Sequence, residues 1–213
     1  MISKQGVDPL ILKAWLSARS IARGLPMPVA EFGGFRVDTK SDAEVARWVF
    51  AKVDLGLKEL ALQISEPGYL LKLCGSQDEL HSAVPTGWRL HPPSYFMQAT
   101  REPAARRLPD GYRIEAKRVG MVLEARIFSE IGALAASGCA AETQDVFIYD
   151  RIMTEPEHRR KGLGHVLMLT LRATRQRPSS QELLVATEDG KALYSTLGWK
   201  TISPYSTASI VRP

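Results

Sequence analysis

The sequence has few of the residues that build metal sites and disulfide frameworks. Its 213 residues include two cysteines, Cys74 and Cys139, and neither belongs to a CxxC motif or to a histidine-rich cluster. We therefore expect no metal site and two free, buried thiols. The chain also lacks the glycine-rich GxGxxG motif and the GxxxxGK motif of two common classes of nucleotide site.

Long apolar stretches are absent as well. No sustained apolar run precedes Pro9, and the most apolar segments, GALAASGCAA and HVLMLTL, are far too short to span a bilayer. We expect a cytoplasmic protein that does not bind membranes. The net charge is +5, but the basic residues are spread along the chain without an aromatic-rich recognition motif. This pattern predicts no nucleic-acid partner, although the charge alone leaves a nucleic-acid-associated protein open.

The first hundred residues mix segments of helical and strand character. LILKAWLSARSIARG and SDAEVARWVFAKV are expected to be helices, the second with an N-cap at Ser41 and the acids Asp42 and Glu44 in its first turn. DLGLKELALQI is also compatible with a helix. GGFRVDT and GYLLKLCG are typical of short strands.

A change in composition suggests where the chain divides. Residues 84–111 are rich in proline, arginine and aromatic residues and are expected to be a connecting segment. We place a boundary near residue 105. This gives an N-terminal α/β region, residues 1–104, and a second region, residues 105–213.

The second region has a more regular pattern. YRIEAKRVG, MVLEARIFS, GALAASGCAAE and DVFIYDRIMT read as strands of an antiparallel meander. Pro156 ends the last of them, and HRRKGLGHVLMLTLRATRQR opens an amphipathic helix. A strand (ELLVAT), a helix (DGKALYSTLG) and a pair of extended segments (WKTISPYSTASIV) follow. This order predicts a mixed α/β sheet.

The segment Arg159–Gly164 lies directly between a predicted strand and a predicted helix. A helix start leaves several backbone N–H groups without partners and carries partial positive charge, so it can hold a phosphate or pyrophosphate. Gly162 and Gly164 let the backbone approach an anion closely, and three basic side chains add full charges. A polyanionic small molecule would suit this segment. Taken alone, the same segment is also typical of an ordinary charged helix start.

Two stretches of the sequence resemble the signatures of the GNAT superfamily of acetyltransferases. In that family a strand ending in apolar-x-V-x-P is followed two residues later by R/Q-x-x-G-x-G/A. The chain has Ile152–Pro156 and then Arg159–Gly164 at this spacing, with Thr154 in the valine position. The second signature, A-x-x-L-Y-x-x-L-G-F/W, is similar to Gly190–Trp199. The resemblance covers about residues 111–211.

The resemblance implies a GNAT fold, a central mixed β-sheet flanked by helices, and acetyl-CoA as the co-substrate. Backbone amides of the loop and of the helix start would bind the CoA pyrophosphate. The strand end would bond the pantetheine arm, and an N–H near Ile152 would polarise the thioester carbonyl. Thr187 stands where the family often has asparagine. The residues expected to bind the cofactor are Ile152, Met153, Thr154, Arg159, Arg160, Lys161, Gly162, Leu163, Gly164, His165 and Thr187.

The catalytic residues are less fully specified by the sequence. Tyr194 stands where the family places the acid that reprotonates the CoA thiolate, although a tyrosine packed on the sheet would look the same. Asp150 and Glu188 are candidates for the base, but for each of them the pattern favours a solvated or salt-bridged carboxylate. A water relay is the third option. Cys139 has no neighbour in sequence that would activate it as a nucleophile.

The hairpin from YRIEAKRVG to MVLEARIFS leaves no room for the helices that shape the acceptor site in the family. The N-terminal region should therefore supply that wall, and it resembles a degenerate second GNAT-like unit. Since no CoA loop follows it, we expect one active site per chain. The expected activity is transfer of acetyl to an amine, preferably of a small molecule, with a non-catalytic acyl-CoA sensor as the alternative and a homodimer as an open option.

Overall fold

A continuous mixed β-sheet runs through the protein, which is described here by a computed structural model covering residues 6–39, 41 and 43–210. The helices are α1 (Pro9–Arg23), α2 (Leu55–Gln63), α3 (Gln77–Ala83), α4 (Leu163–Ala173) and α5 (Glu188–Thr196). The strands are β1 (Val29–Glu31), β2 (Gly34–Asp38), β3 (Ala46–Phe50), β4 (Tyr69–Leu73), β5 (Trp88–Leu90), β6 (Ser94–Ala99), β7 (Tyr112–Val119), β8 (Val122–Ser129), β9 (Leu134–Glu142), β10 (Val146–Thr154), β11 (Gln181–Thr187) and β12 (Trp199–Ile210). None of the helices in these ranges combines the length and the hydropathy needed to cross a lipid bilayer.

The sheet has two sections with similar strand orders. In the first section, antiparallel strands β1, β2 and β3 are followed by β4, which pairs with β3 in parallel. In the second, antiparallel strands β7 to β10 are followed by β11, which pairs with β10 in parallel. A helix makes each parallel crossover, α2 in one section and α4 in the other. The N-terminal section therefore resembles the C-terminal one, with one antiparallel strand fewer.

Each section is completed by a strand from the other half of the chain. Strand β6, from the N-terminal region, lies between β11 and the first part of β12. The second part of β12 pairs with β4 and β5 of the first section, with Ala208 opposite both Leu71 and Leu90. This exchange joins the two sections into a single sheet. The segment WKTISPYSTASIV is accordingly one long strand, where the sequence predicts two extended segments.

Helix α1 belongs to the N-terminal region but covers the second section of the sheet. The Asp8 side chain caps its first turn, and Gly24 ends it in the left-handed conformation. Its buried residues Leu12, Trp15 and Leu16 pack against β9 and β10, on the face opposite α4 and α5. Helix α1 therefore covers a face of the second section, and its role as a wall of an acceptor site stays a prediction.

The helix predicted for SDAEVARWVFAKV is wrong, because these residues form β3 and the turn before it. All five residues of β3 are buried, so a continuous apolar run is a better description of the segment than a helical stripe. Trp48 and Val49 face opposite sides and belong to different core clusters. Ser41 bonds the backbone N–H of Glu44 in a tight turn. Asp42 lies outside the described residues.

The connecting segment predicted for residues 84–111 is wrong in its first half. It contains β5 and β6, and Phe96 and Met97 of β6 are fully buried in the middle of the sheet. Pro92 and Pro93 precede β6, so the strand itself contains no proline. Residues 101–109, which include the predicted boundary, form an extended link without helix or strand.

Lys72 on β4 lies near the junction of the two sections. Its ammonium nitrogen is 3.2 Å from the hydroxyl of Thr207 on β12. Burial, together with the charges of Arg47 and Arg19, lowers the pKa of Lys72 to about 7. The protonated form is therefore unfavourable in the folded protein.

Replacing Lys72 by methionine should stabilise the protein most at low pH. Between pH 7 and 10.5, Lys72 is protonated in the unfolded chain but neutral in the folded protein. The free energy of unfolding of the wild type therefore rises with pH across that window. We expect Lys72→Met to raise the free energy of unfolding by about 1–3 kcal/mol near pH 6 and the gain to vanish toward pH 10. Urea midpoints against pH measure this, with exposed Lys58→Met as the control. A gain that does not depend on pH would contradict the assignment.

Candidate active site

The parallel strands β10 and β11 separate part-way along their length. Their pairing covers Val146 to Ile148 on β10, opposite Gln181 to Leu183 on β11, and stops there. Beyond this point β11 continues against β6, and β10 continues against β9. The result is a V-shaped opening in which one edge of β10 has no strand partner.

A bulge shapes the open end of β10. The register with β9 shifts between Asp150 and Met153, and Arg151 adopts a positive φ of 55°, which is uncommon for a residue other than glycine. After the bulge, Ile152 lines the opening, while Met153 is half-exposed. The strand ends at Thr154, whose hydroxyl lies 3.7 Å from the position that a Cβ of Gly164 would occupy. The opening therefore leads directly to the start of α4.

The start of α4 presents a run of backbone N–H groups with no partners. From Arg160 to His165, none of these groups donates to an acceptor in the described ranges. Gly162 is the N-cap, with φ of 80°, and it contributes no side-chain cap. Such a run at a helix start is suited to bind an anion.

The residues of this loop have different structural roles. Leu163 is buried in the core, so it can offer a ligand its backbone but not its side chain. Gly164 lies against α5, because a Cβ there would meet Cδ2 of Leu193 at 3.1 Å. His165 bonds the carbonyl of Ala104 through its ring, with Nε2 and O at 2.8 Å. A side chain at 164 would therefore need a small shift of Leu193, so the glycine allows close packing of α4 on α5.

The basic side chains of the loop are held to different degrees. Arg159 donates from Nε to the carbonyl of Thr154 at 3.2 Å, and Lys161 donates to the hydroxyl of Tyr112 at 3.0 Å. Arg160 makes no side-chain hydrogen bond within the described ranges. A further guanidinium comes from the link, where Nε, Cζ and Nη2 of Arg106 lie within 2.2–2.3 Å of the position of a Cβ on Gly162.

A pocket of about 250 Å³ occupies the opening between β10 and β11. Its walls come from α1, β10, β11 and α5. The sequence-predicted residues Asp150, Ile152, Thr187 and Tyr194 all line it. The structure therefore brings these four together in one place, next to the α4 loop.

Tyr194 closes the pocket from α5. The ring is buried against Trp199, with the centroids 6.0 Å apart, and C𝜀2 lies 3.3 Å from the position of a Cβ on Gly190. Its hydroxyl makes no hydrogen bond within the described ranges, and burial raises the pKa of Tyr194 well above its usual value. The phenol is therefore a neutral donor facing no fixed acceptor.

The comparisons with known proteins concern the fold. No protein-family model and no curated protein sequence matches the chain. A GCN5-related N-acetyltransferase from Kribbella flavida superimposes with a TM-score of 0.67 at 13% identity, over 98% of this chain and 97% of that one. One from Sphaerobacter thermophilus gives 0.61 at 13% identity, over 98% and 95%. The chain has the GNAT fold. A tandem GNAT protein from the clavulanic acid biosynthesis pathway gives 0.56 at 15% identity, over 84% and 80%.

Within this GNAT fold, the N-terminal section has no equivalent opening. Strands β3 and β4 stay paired over all five residues, and the N–H of Cys74 continues the ladder to the carbonyl of Phe50. Helix α2 is capped by the carboxylate of Asp54, which accepts from the N–H of Leu57 at 2.9 Å. A carboxylate at this helix start fills the place of an anionic ligand. This geometry supports the expectation of one site per chain.

Asp150 is committed to an ion pair. Arg23 binds it through two bonds, Nε to Oδ2 at 2.5 Å and Nη2 to Oδ1 at 2.8 Å, and Arg19 approaches Oδ1 at 3.5 Å. Burial alone would raise the pKa of Asp150, but the bond from Arg23 and the two positive charges outweigh it and lower the pKa. Asp150 is therefore a weak base that anchors α1 to β10.

Glu188, the other predicted base, does not line the pocket. It is exposed on the first turn of α5, where it accepts from the hydroxyl of Tyr95 and lies 3.6 Å from Lys191. A proton would have to reach Glu188 through solvent.

Thr187 and Cys139 have structural roles. The Thr187 hydroxyl caps α5 by accepting from the N–H of Gly190 at 3.3 Å, in addition to lining the pocket. Cys139 is buried, and its thiol lies 3.3 Å from the carbonyl oxygen of Asp150. Burial and the charge of Asp150 raise the pKa of Cys139 to about 11. Both cysteines are free and buried, as the sequence predicts.

Sequence reasoning missed four residues of this site. Trp15, Arg19 and Arg23 form the α1 wall, and Arg106 lies over Gly162. The three α1 residues are spaced four apart on one helical face, and the sequence shows this spacing. Asp150, which binds the two arginines, is more than 120 residues away in the chain. Within the described ranges no group of histidine, cysteine and acidic residues could hold a metal ion.

Replacing Asp150 by asparagine should destabilise the protein strongly, because two buried guanidinium groups lose their counter-charge. We expect a loss of about 3 kcal/mol at pH 7. The wild-type contribution is present above about pH 4 and is lost as the pH falls through the lowered pKa of Asp150. Urea unfolding measures the loss.

The control for this variant is Asp38→Asn, which removes a more exposed pair in which Arg36 donates a single bond to Asp38 at 2.8 Å. That change should cost less than about 1 kcal/mol. Equal losses in the two variants would show that the pair with Arg23 has no special role.

Proposed function

We propose that the protein is an N-acetyltransferase that transfers an acetyl group from acetyl-CoA directly to the primary amine of a small molecule. One observation carries the proposal. A pocket containing a buried tyrosine lies at the opening between β10 and β11, and β10 ends beside a helix start with six consecutive N–H groups that have no partner among the described residues. This arrangement fits a long ligand with a reactive end and an anionic end.

The arrangement suits CoA in both its extended arm and its phosphates. The unpaired edge of β10, from Asp150 to Thr154, offers N–H and C=O groups to the amides of a pantetheine arm. The α4 start would bind the pyrophosphate through backbone amides. Arg160 and Arg106 lie at this loop, make no side-chain hydrogen bond within the described ranges, and would add charge-assisted bonds.

The chemistry of direct transfer requires the amine nitrogen to attack the thioester carbon. A C–N bond forms, the C–S bond breaks, and the thiolate takes up a proton. Tyr194 is the proposed donor of that proton, because its neutral hydroxyl lines the pocket and has no other partner. A backbone N–H at the bulge, near Ile152, would stabilise the developing oxyanion.

The amine must also lose a proton, and the pocket favours that loss electrostatically. Arg19, Arg23 and Arg151 line it, against the single carboxylate of Asp150. Positive surroundings lower the pKa of a bound ammonium, so a larger fraction of the amine is neutral at pH 7. The released proton then passes to water, and the site needs no strong base.

Direct transfer is favoured over a covalent intermediate by the state of Cys139. A thiol with a pKa near 11 is protonated at pH 7 and is a poor nucleophile. It also lies against the carbonyl of Asp150 and is not among the residues that line the pocket.

A second candidate function is non-catalytic binding of an acyl-CoA. The observation in its favour is that Asp150, the carboxylate of the pocket, is held by Arg23. Binding and turnover separate the two functions. An acetyl-CoA complex that never releases thiol with any amine would support the sensor.

Replacing Gly162 by alanine should weaken acetyl-CoA binding. Alanine at φ of 80° is strained, and its Cβ would collide with Arg106. We expect the Kd measured by isothermal titration to rise about 10-fold or more. The matched control is Gly132→Ala, which has φ of 82° and open space around the position. If both variants bind as the wild type does, the α4 loop is not the binding site.

Tyr194→Phe should lower kcat roughly 100-fold while the Kd for acetyl-CoA changes little. The hydroxyl is removed, whereas the ring contacts with Trp199 and Gly190 remain. Tyr149→Phe is the control, because Tyr149 also lines the pocket but its hydroxyl is bound to Glu182 at 2.6 Å. An unchanged kcat in Tyr194→Phe would remove the tyrosine from the acid role.

A further inference from the structure

We propose that the acceptor amine carries a carboxylate and that Arg19 on α1 is the residue that binds it. The inference deepens the proposed acyl transfer, because it rests on the same pocket and names the class of acceptor. It depends on how the charges of the pocket are already paired.

The negative charge of Asp150, the carboxylate that lines the pocket, is already paired with Arg23. Arg23 forms two short bonds to Asp150, one to each carboxylate oxygen. This leaves Arg19 with a single long contact of 3.5 Å to Oδ1. The terminal nitrogens of Arg19 donate to no acceptor within the described ranges. Arg19 is therefore a fixed cation with donors to spare.

The position of Arg19 is set by packing, so it does not depend on a ligand. Its guanidinium carbon lies 5.2 Å from the centroid of the Trp15 ring, and the side chain is 18% exposed. Burial and the charge of Arg23 lower the pKa of Arg19 despite the presence of Asp150. An additional anion would relieve this imbalance.

Two buried polar groups near Arg19 have no hydrogen-bond partner in the described ranges. The indole N–H of Trp15 is buried and has no hydrogen-bond partner in the described ranges. The same is true of the hydroxyl of Tyr205, whose ring centroid lies 6.0 Å from that of Trp15. A group of donors without acceptors is a setting in which a carboxylate is favourable. A guanidinium can bind both of its oxygens at once.

Arg19 and Tyr194 line the same pocket of about 250 Å³. A molecule that places its amine at the reactive end can therefore place a carboxylate on α1 without leaving the pocket. The same charges act against an acceptor with several ammonium groups, because three arginines face one carboxylate. The expected acceptors are small amino acids, and polyamines are excluded.

The test is a panel of matched amines with acetyl-CoA, read by thiol release. Each set contains an amino acid, its amide and its decarboxylated amine, such as phenylalanine, phenylalaninamide and phenethylamine, or glutamate and its counterparts. Sets based on β-alanine and 6-aminohexanoate vary the distance between amine and carboxylate. We expect kcat/KM for the carboxylated member of at least one set to exceed those of its counterparts about 10-fold or more.

Arg19→Gln should remove this preference, mainly through KM for the carboxylated amine, and Arg19→Lys should restore part of it. Arg36→Gln is the matched control, because Arg36 lies over Trp48 at 5.1 Å in a similar contact away from the pocket. Titration with acetyl-CoA should give the same Kd in all three variants. Equal or faster turnover of the amides and amines by the wild type would overturn the proposal, whatever the variants do.

A second readout separates this proposal from the proposed activity. The same panel is scored by the shift in Tm with CoA present. Carboxylate-dependent shifts that Arg19→Gln abolishes, without turnover, would uphold the carboxylate site and refute the transferase. Turnover that ignores the carboxylate would do the reverse, and the absence of both carboxylate-dependent shifts and turnover would overturn the carboxylate site.

Discussion

The separation of β10 from β11 after Ile148 is the constraint on which the site depends. Parallel strands normally continue their ladder, and here the ladder stops after three residue pairs. The bulge at Arg151 turns the free edge of β10 toward the start of α4. The pocket, the exposed strand edge and the unpartnered amides all lie along this one opening. In the N-terminal section the corresponding strands stay paired, and no comparable opening forms.

The two halves of the chain contribute different parts of the pocket. The second section carries the opening, the loop and Tyr194, but it connects β7 to β8 by a tight hairpin and has no helix there. Helix α1 covers this face and brings Arg19 and Arg23 to Asp150. The ion pair thus does two things, since it fixes α1 on the sheet and removes the pocket's carboxylate from acid–base chemistry.

Much of the second section could be predicted from sequence, because its signals are local. The strand alternation, Pro156 and the glycines at 162 and 164 lie close together in the chain and each has a direct physical meaning. Strand β3 was misread as a helix because a strand buried on both faces has no polar alternation. The sequence does not predict strand β6, because prolines precede and follow it. It does not predict the Arg23–Asp150 pair either, because no local pattern marks a contact between residues 127 apart.

The exchange of strands also has a consequence for folding during synthesis. Strand β6 leaves the ribosome long before β11 and β12, its partners, and the N-terminal section receives its inner strand when residues 206–209 have been made. Until then the edges of β4 and β5 are unpaired and open to other chains. Neither half can complete its sheet before the other half has been made. Folding to the native structure should therefore be late and concerted, and it should be slow because the final contacts are nonlocal.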